Sequence, residues 1–446
     1  MSQLFDDVHG ARRRDAIPGA LSVLPCDAGQ EGARLPRPGD AAARRRVELS
    51  RHGTWHGTWV ELEAPEGGDG SLSALRERWR AGRPIVLRGA AREELDELRP
   101  RIAAAFDLYE TLSSPGALRA WLRTRAADLP PGFSIQGRRA RPADPRRDIE
   151  KVRLSWQGAG RRGVRDLWLQ SGALSAHPED PSLRLRLSWG HEGGEGGGDS
   201  LRPALLAELW DALLPESRAA SANPAVVGAA EALCGEELFC TQPSACWSAP
   251  EGGAPFRQDF LAAPLDGSRH CACWVQLAGR TAWLALSLED LAARVRELAA
   301  LLRDGGLPRL RAELFPREGE FRRFLARAAD ADALLCELAL PGRGSLGRLV
   351  DRGPELTAFL AGAGHAALLD AGDALLLPDH GRRRRAVASL FCASDLAAYA
   401  LSMELRAARP APPPPPEPEA GASARPDREE IRRLRRASPR RRRPAR

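Results

Sequence analysis

The chain has 446 residues, 43% hydrophobic and 5% aromatic, enough for a large core and for one elaborate domain or two ordinary ones. The net charge of +7 sits in the tail: Arg425 to Arg446 holds eleven Arg against Asp427, Glu429 and Glu430, a net +8 that leaves the rest at −1 and argues against a basic partner surface on the body. Eight cysteines without a Cys-X-X-Cys pair exclude a disulfide scaffold and a structural zinc site, and the lack of an apolar run of about 18 residues excludes a membrane-spanning helix.

Residues 1–47 are rich in Gly, Ala, Arg and Pro without periodicity and read as disordered. Asp6 and Asp7, with no hydrophobic core beside them, do not make a secretory signal. The tandem His52-Gly-Thr-Trp55 and His56-Gly-Thr-Trp59 reads as a local duplication, because glycine-spaced histidines do not share a helix face. Leu72, Leu75 and Trp79 recur at helical spacing behind Ser71 or Ser73, and Gly82 ends that helix. Pro84-Ile-Val-Leu-Arg-Gly89 then reads as a short buried strand.

Helices are expected over Arg92–Phe106, Gly116–Ala127 and Leu201–Leu214, and strands over Val152–Trp156, Asp166–Gln170 and Leu183–Trp189. His177-Pro-Glu179 has the shape of a metal pair but stands in a Pro/Asp-rich loop. The Gly-rich run after His191 lacks the Lys-Ser/Thr of a phosphate loop and reads as a connection.

Cys246 to Trp283 reads as two strands and their link: a run ending at Phe260, a turn at Pro264, Asp266 and Gly267, and an apolar run from His270 to Leu277 closed by Gly279. Leu291, Val295, Leu298 and Leu302 mark one face of a helix over Leu288–Arg303, and helical pattern returns at Glu320–Arg327 and Pro354–Leu360. Ala371-Gly-Asp373 turns into Ala374–Leu377 and Pro378, and Ala397 to Leu405 is a closing strand. Pro410 to Pro418 is a stiff spacer, followed by the arginine tail. The cysteines at 234, 240, 246, 271, 273 and 392 lie in or near apolar runs and read as buried reduced thiols.

Three of these stretches resemble one family, the JmjC/cupin-8-type 2-oxoglutarate oxygenases. The helix followed by RPIVLRG is similar to that family's opening elements. Arg257-Gln258-Asp259 lies where the family carries His-X-Asp, and Gln276-Leu-Ala-Gly-Arg280-Thr281-Ala-Trp283 where it reads Gln-Leu-X-Gly-X-Lys-X-Trp. Gly372-Asp373 with the apolar run to Pro378 resembles the strand that leads to the last metal ligand. The phytanoyl-CoA hydroxylase type also has an HQD strand but lacks the PIVLRG element.

The resemblance implies an α+β fold: a double-stranded β-helix (jelly-roll, JmjC/cupin-like) with N-terminal helices and a helical insertion. Its expected boundaries are 48–245 for the N-terminal part, 246–405 for the core with an insertion at about 287–362, and 406–446 for linker and tail. It also implies Fe(II) held by two histidines and a carboxylate, with 2-oxoglutarate on a cation inside the barrel. Of these, only Asp259 stands at its place. Arg257 and Arg385 occupy the two histidine positions, and guanidinium has no lone pair for a metal. Thr281 replaces the cation, for which Arg280 would serve after a one-residue slip.

The expectation is therefore a barrel without a working iron site, acting as a binding or scaffold protein, with Arg257, Asp259 and Arg385 clustered at its mouth. No cofactor is then expected. The alternative keeps an active protein hydroxylase or demethylase, with His270 or His380 beside Asp259 binding Fe(II) and 2-oxoglutarate. Expected partners are a protein and, through the two tail clusters Arg432–Arg436 and Arg440–Arg443, nucleic acid; no membrane is expected, and the location is nuclear or cytoplasmic. Ser438 lies between the clusters, where phosphorylation would weaken either contact.

Overall fold

The computed structural model describes residues 60–63, 69–114, 116–139, 148–158, 163–174, 180–189, 201–250, 252–257, 269–338, 360, 363–380 and 384–407, all within the unit Met1–Ala408. The segment 1–47, both His-Gly-Thr-Trp copies, His177, His191, Asp259, the expected helix at 354–360 apart from Leu360, and the linker and tail beyond 407 lie outside these residues.

β1 (Val60–Glu63) precedes α1 (Asp69–Arg80), the helix expected from the Leu75 and Trp79 spacing, and Trp79 is fully buried. β2 (Ile85–Arg88) follows and runs parallel to β1. α2 (Arg92–Leu112) continues past the expected end at Phe106 because Leu108 and Leu112 extend its buried stripe. α3 (Ala117–Thr124) leads into four antiparallel strands: β3 (Phe133–Arg139), β4 (Asp148–Gln157), β5 (Gly163–Ala173) and β6 (Leu183–Trp189). α4 (Leu201–Leu213), the single turn α5 (Arg218–Ser221) and α6 (Pro224–Cys234) come next. Asn223 caps α6, accepting from Val226 N at 3.0 Å, and Pro224 fills the first position, where a missing N–H costs nothing.

Eight strands then carry the rest, in chain order β7 (Leu238–Ser248), β8 (Gly253–Arg257), β9 (Arg269–Ala278) and β10 (Thr281–Ser287) before an insertion. The insertion begins with α7 (Leu288–Arg303), whose Ser287 cap accepts from Asp290 N at 2.9 Å, and continues through α8 (Pro308–Leu314), α9 (Glu318–Ala329) and α10 (Ala331–Leu338). β11 (Ala366–Leu369), β12 (Ala374–Pro378), β13 (Ala386–Cys392) and β14 (Ala398–Ala407) follow it. The four strands expected here are all extended; of Phe256–Phe260, the last three residues are outside the description.

The fold mixes helices with largely antiparallel sheet. A large sheet has the order β1-β2-β12-β9-β14-β7-β6-β5-β4-β3, and a small one β11-β10-β13-β8. From β7 onward, the chain places β7 in the large sheet, β8 in the small, β9 in the large, β10 and β11 in the small, β12 in the large, β13 in the small and β14 in the large.

Side-chain alternation sorts these sheets into layers. Cys271, Cys273 and Val275 of β9 join the core formed with Trp79, Ile102 and Leu209 of the N-terminal helices, while Ala272 and Trp274 join a second core with Trp283, Ala285 and Ala388 of the small sheet. On the small sheet, Ala282, Leu284 and Leu286 face the other way, toward Leu291, Val295, Leu298 and Leu302 of α7. The order of layers is helices, large sheet, small sheet, helices. Both sheets are covered on both faces there, which is why β10 is buried at every position.

The turn between β9 and β10 needs Gly279: its φ is +68°, and an added Cβ would lie 2.9 Å from Ala398 Cα. Among the described residues, no helix is long and apolar enough to cross a membrane. None of the described cysteines is in a disulfide. Burial raises the thiols of Cys271 and Cys273, pushes Cys240 up to about 12 and Cys234 to about 11, so these remain protonated, packed groups.

Candidate functional site

The space between the sheets is where the resemblance places metal and co-substrate. Its inner part is closed by side chains. Thr281, first residue of β10, donates from Oγ1 to Gln276 Oε1 at 2.8 Å and accepts from Trp283 Nε1 at 2.9 Å. Gln276 Nε2 donates to the carbonyls of Ala278 at 2.7 Å and Tyr399 at 3.1 Å. Thr281 and Gln276 are 2% and 1% exposed. The network satisfies its buried donors, as the low dielectric demands. Beside it, Trp274 and Trp283 meet edge to face, 5.0 Å between centroids, and Leu375, Leu377 and Leu390 fill the remaining space.

Arg280 does not stand in for a cation here. It occupies the β9–β10 turn, its N–H donates to Ser394 Oγ at 2.6 Å, and its guanidinium pairs with Asp370, both side chains more than 40% exposed (46% and 42%). Thr281 opens the strand and Trp283 shares its inward face, so in this register the pleat turns Arg280 outward, and the one-residue slip that would bring it inward has not occurred.

At the mouth, Arg257 ends β8 with its Cα opposite Ala388 of β13. Its side chain, that of His270, and all of Asp259 lie outside the description. The expected cluster of Arg257, Asp259 and Arg385 is therefore visible only at Arg385, and there the partner is another residue. Asp379 and Arg385 form a β-bridge between β12 and β13, and Arg385 Nε donates to Asp379 Oδ1 at 3.0 Å, with the side chains 14% and 4% exposed. His380, next in sequence, sets its ring edge to face against Trp79 at 5.5 Å. His270 is in β9, where its neighbour Cys271 pairs with both Pro378 and Leu405. Among the described residues, no three His, Cys, Asp or Glu side chains converge as a metal site.

The side chains at 257, 259 and 270 lie outside the description, and the described side chains expected around them are engaged elsewhere. Thr281 has spent its hydroxyl on two neighbours, Arg280 is outside, and the Arg at 385 holds a carboxylate instead of offering a lone pair. Sequence reasoning found Thr281 and Arg385 but missed Gln276 as Thr281's partner and Asp379 as Arg385's. Gln276 stood in the motif itself; Asp379 followed Pro378 directly.

A cleft opens on the large-sheet side of the same mouth. It is small, about 20 Å³, and is lined by Arg184 and Arg186 of β6, Gln242 and Ser244 of β7, Ala272 and Trp274 of β9, and Ser402, Met403 and Glu404 of β14. Glu404 accepts from Arg406 Nη2 at 3.2 Å.

No family model matches the chain, and no curated protein matches it either. Among solved structures, it is similar to an oxidoreductase of the 2OG-Fe(II) oxygenase family from Burkholderia pseudomallei at 7% identity, over 78% of this chain and 95% of that one, with a TM-score of 0.25. It is also similar to YcfD, a ribosomal oxygenase from Escherichia coli, at 12% identity, over 66% of this chain and 54% of that one, with a TM-score of 0.19. Likenesses this loose settle neither fold nor function.

Proposed function

We propose that this chain is a jelly-roll protein, a JmjC-like double-stranded β-helix, that has given up iron and 2-oxoglutarate chemistry and works by binding. The alternation of β7 to β14 between two antiparallel sheets, with a helical insertion between β10 and β11, supports the fold. The observation that carries the loss of chemistry is Thr281: where the resemblance asks for a cation, a hydroxyl sits saturated between Gln276 and Trp283. A dicarboxylate at Thr281 would find a hydroxyl already engaged and would have to displace two packed indoles.

The test is calorimetric titration of the full chain with Mn(II) and 2-oxoglutarate, followed by an assay for succinate with Fe(II). The expected result is no saturable 2-oxoglutarate binding and no succinate above the metal-only blank. Micromolar binding or turnover overturns the reading. In that case loss of activity in Asp259→Ala, with His270→Ala and His380→Ala compared, identifies the ligands of an active enzyme.

One partner of the body is a protein, and the arginine clusters of the tail act as a nuclear-import or nucleic-acid contact. Truncation after Arg409 tests this: the shortened chain should keep its melting temperature and lose nuclear accumulation. Unchanged localisation would leave the tail without that role.

A further inference from the structure

The cleft at the barrel mouth is one end of a longer polar band. Cα register places Lys151 of β4 opposite Gln170 of β5, Gln170 opposite Arg186 of β6, Arg186 opposite Ser244 of β7, Ser244 opposite Ser402 of β14, and Ser402 opposite Trp274 of β9. Directly opposed residues point to the same face; Ser244 and Trp274 of this row are buried between the sheets and Gln170 is 9% exposed, so its accessible part is the β4–β6 end that carries Lys151 and Arg186. It faces away from the N-terminal helices: Val152, Leu154, Leu169 and Leu185, the neighbours of opposite parity, belong to the helix-side core. The adjoining row adds Arg153, opposite Trp168, opposite Ser188.

Charge is segregated onto this band although the body sums to nearly zero. Among the described side chains, Lys151, Arg153, Arg184 and Arg186 lie on it with the carboxylate of Glu404, which accepts from Arg406. Lys151 is the only lysine in a chain whose other cations are all arginine, and its Nζ stands 4.8 Å from the centre of the Trp168 ring, with Arg153 at 5.6 Å. Lys151, Arg153, Arg184, Arg186 and Gln170 all make contacts within the chain, so a ligand would exchange partners there.

The backbone beneath the cleft is distorted as well. Gln242 has φ +49°, the left-handed region that side chains seldom adopt, and the pairing of β7 with β14 slips between Ser402 and Glu404 at this point. Strain of this kind persists where the surroundings impose it, and it clusters at binding sites. Here it pulls Gln242 out of the regular ladder and into the cleft lining.

We propose that this band is a groove for single-stranded nucleic acid, with phosphates on Arg184, Arg186 and Lys151 and a base against Trp168. A sheet face with spaced cations around a partly exposed indole suits alternating phosphates and bases. An acidic peptide would use the cations but has no flat ring to set on Trp168.

Because Lys151 carries the only side-chain amine, acetylation at that residue reads occupancy of the groove and is blind to the arginine tail. The full chain is treated with an acetylating reagent, with and without saturating oligo(dT) about 20 nucleotides long, and the rate at Lys151 is followed by mass spectrometry. Protection of about tenfold is expected, lost in Arg184→Gln/Arg186→Gln and, independently, in Trp168→Leu, each with an unchanged circular dichroism spectrum. Oligonucleotide binding by anisotropy without protection of Lys151 overturns the proposal, as does equal protection by poly-glutamate of matched charge at the same ionic strength. Neither iron nor 2-oxoglutarate enters the readout, so its outcome is separate from that of the barrel's chemistry.

Discussion

Asp373 holds both ends of the RPIVLRG strand's exit: its Oδ1 accepts from Gly89 N at 2.8 Å, and its Oδ2 from Arg88 Nη1 at 2.6 Å. Oδ2 also accepts from Asp370 N at 3.0 Å, and Arg88 Nη1 reaches Leu368 O at 2.6 Å. Gly372, at φ +92°, lets the turn approach Arg92 closely, while its carbonyl accepts from Ala91 N. Two motifs 284 residues apart are thus joined through one carboxylate that is 1% exposed.

Asp373→Ala should therefore cost about 1–3 kcal/mol, since it removes one acceptor of Arg88 and leaves the Gly89 N–H without its own. Urea unfolding with an unchanged m-value checks this. A loss under about 1 kcal/mol would mean that solvent replaces the carboxylate and that the junction is not structural.

Thr281→Val keeps the shape of the side chain and removes its hydroxyl. Trp283 Nε1 and Gln276 Oε1 then lose their shared partner, and a loss of about 1–3 kcal/mol is expected in denaturant unfolding. Thr281→Ser should recover most of it. Equal stability of the Val variant and the parent would show that the network does not hold the space between the sheets closed.

Glu216 is buried, and desolvation raises its carboxyl above the ordinary 4.5, although the hydrogen bond from Tyr399 and the charges of Arg101 and Arg125 oppose this. Tyr399 Oη donates to Glu216 Oε1 at 2.8 Å, and burial lifts the phenol well above 10. A raised carboxyl favours the protonated native state, so its contribution is full below pH 4.5 and is lost as pH rises through the folded value. Glu216→Gln should be the more stable chain at neutral pH, with the two converging toward pH 4.5. Parallel stability curves would refute the assignment.

His365 shifts the other way. Burial pulls its imidazole down to about 4 from 6.5, with Asp290 and Glu297 opposing and Arg294 and Arg83 assisting. The unfolded chain takes up this proton below 6.5 and the native chain only near 4, so stability falls as pH drops between them. His365→Gln should flatten this interval in a melting-temperature profile; an unaltered slope would assign the loss to other groups.

The local elements were legible along the chain because their causes are local. The stripe of Leu291, Val295, Leu298 and Leu302 gives α7, with Ser287 capping it, and the apolar run before Gly279 gives β9. Helices such as α6, α8 and α10 and strands β1 and β3 escaped notice, being short or without sustained periodicity. Thr281 and Arg385 were recognisable as departures from a metal site by residue type alone, since guanidinium and a hydroxyl cannot replace imidazole and ammonium.

What each of them does instead was decided by the tertiary structure. Arg385 meets Asp379 because β12 and β13 leave different sheets at a common point, and Thr281 meets Gln276 across a turn that only Gly279 permits. The basic band is the furthest from the sequence: Lys151, Arg186 and Ser244 are adjacent only through cross-strand register, and a sum of charges along the chain cancels what the pleat gathers on one face.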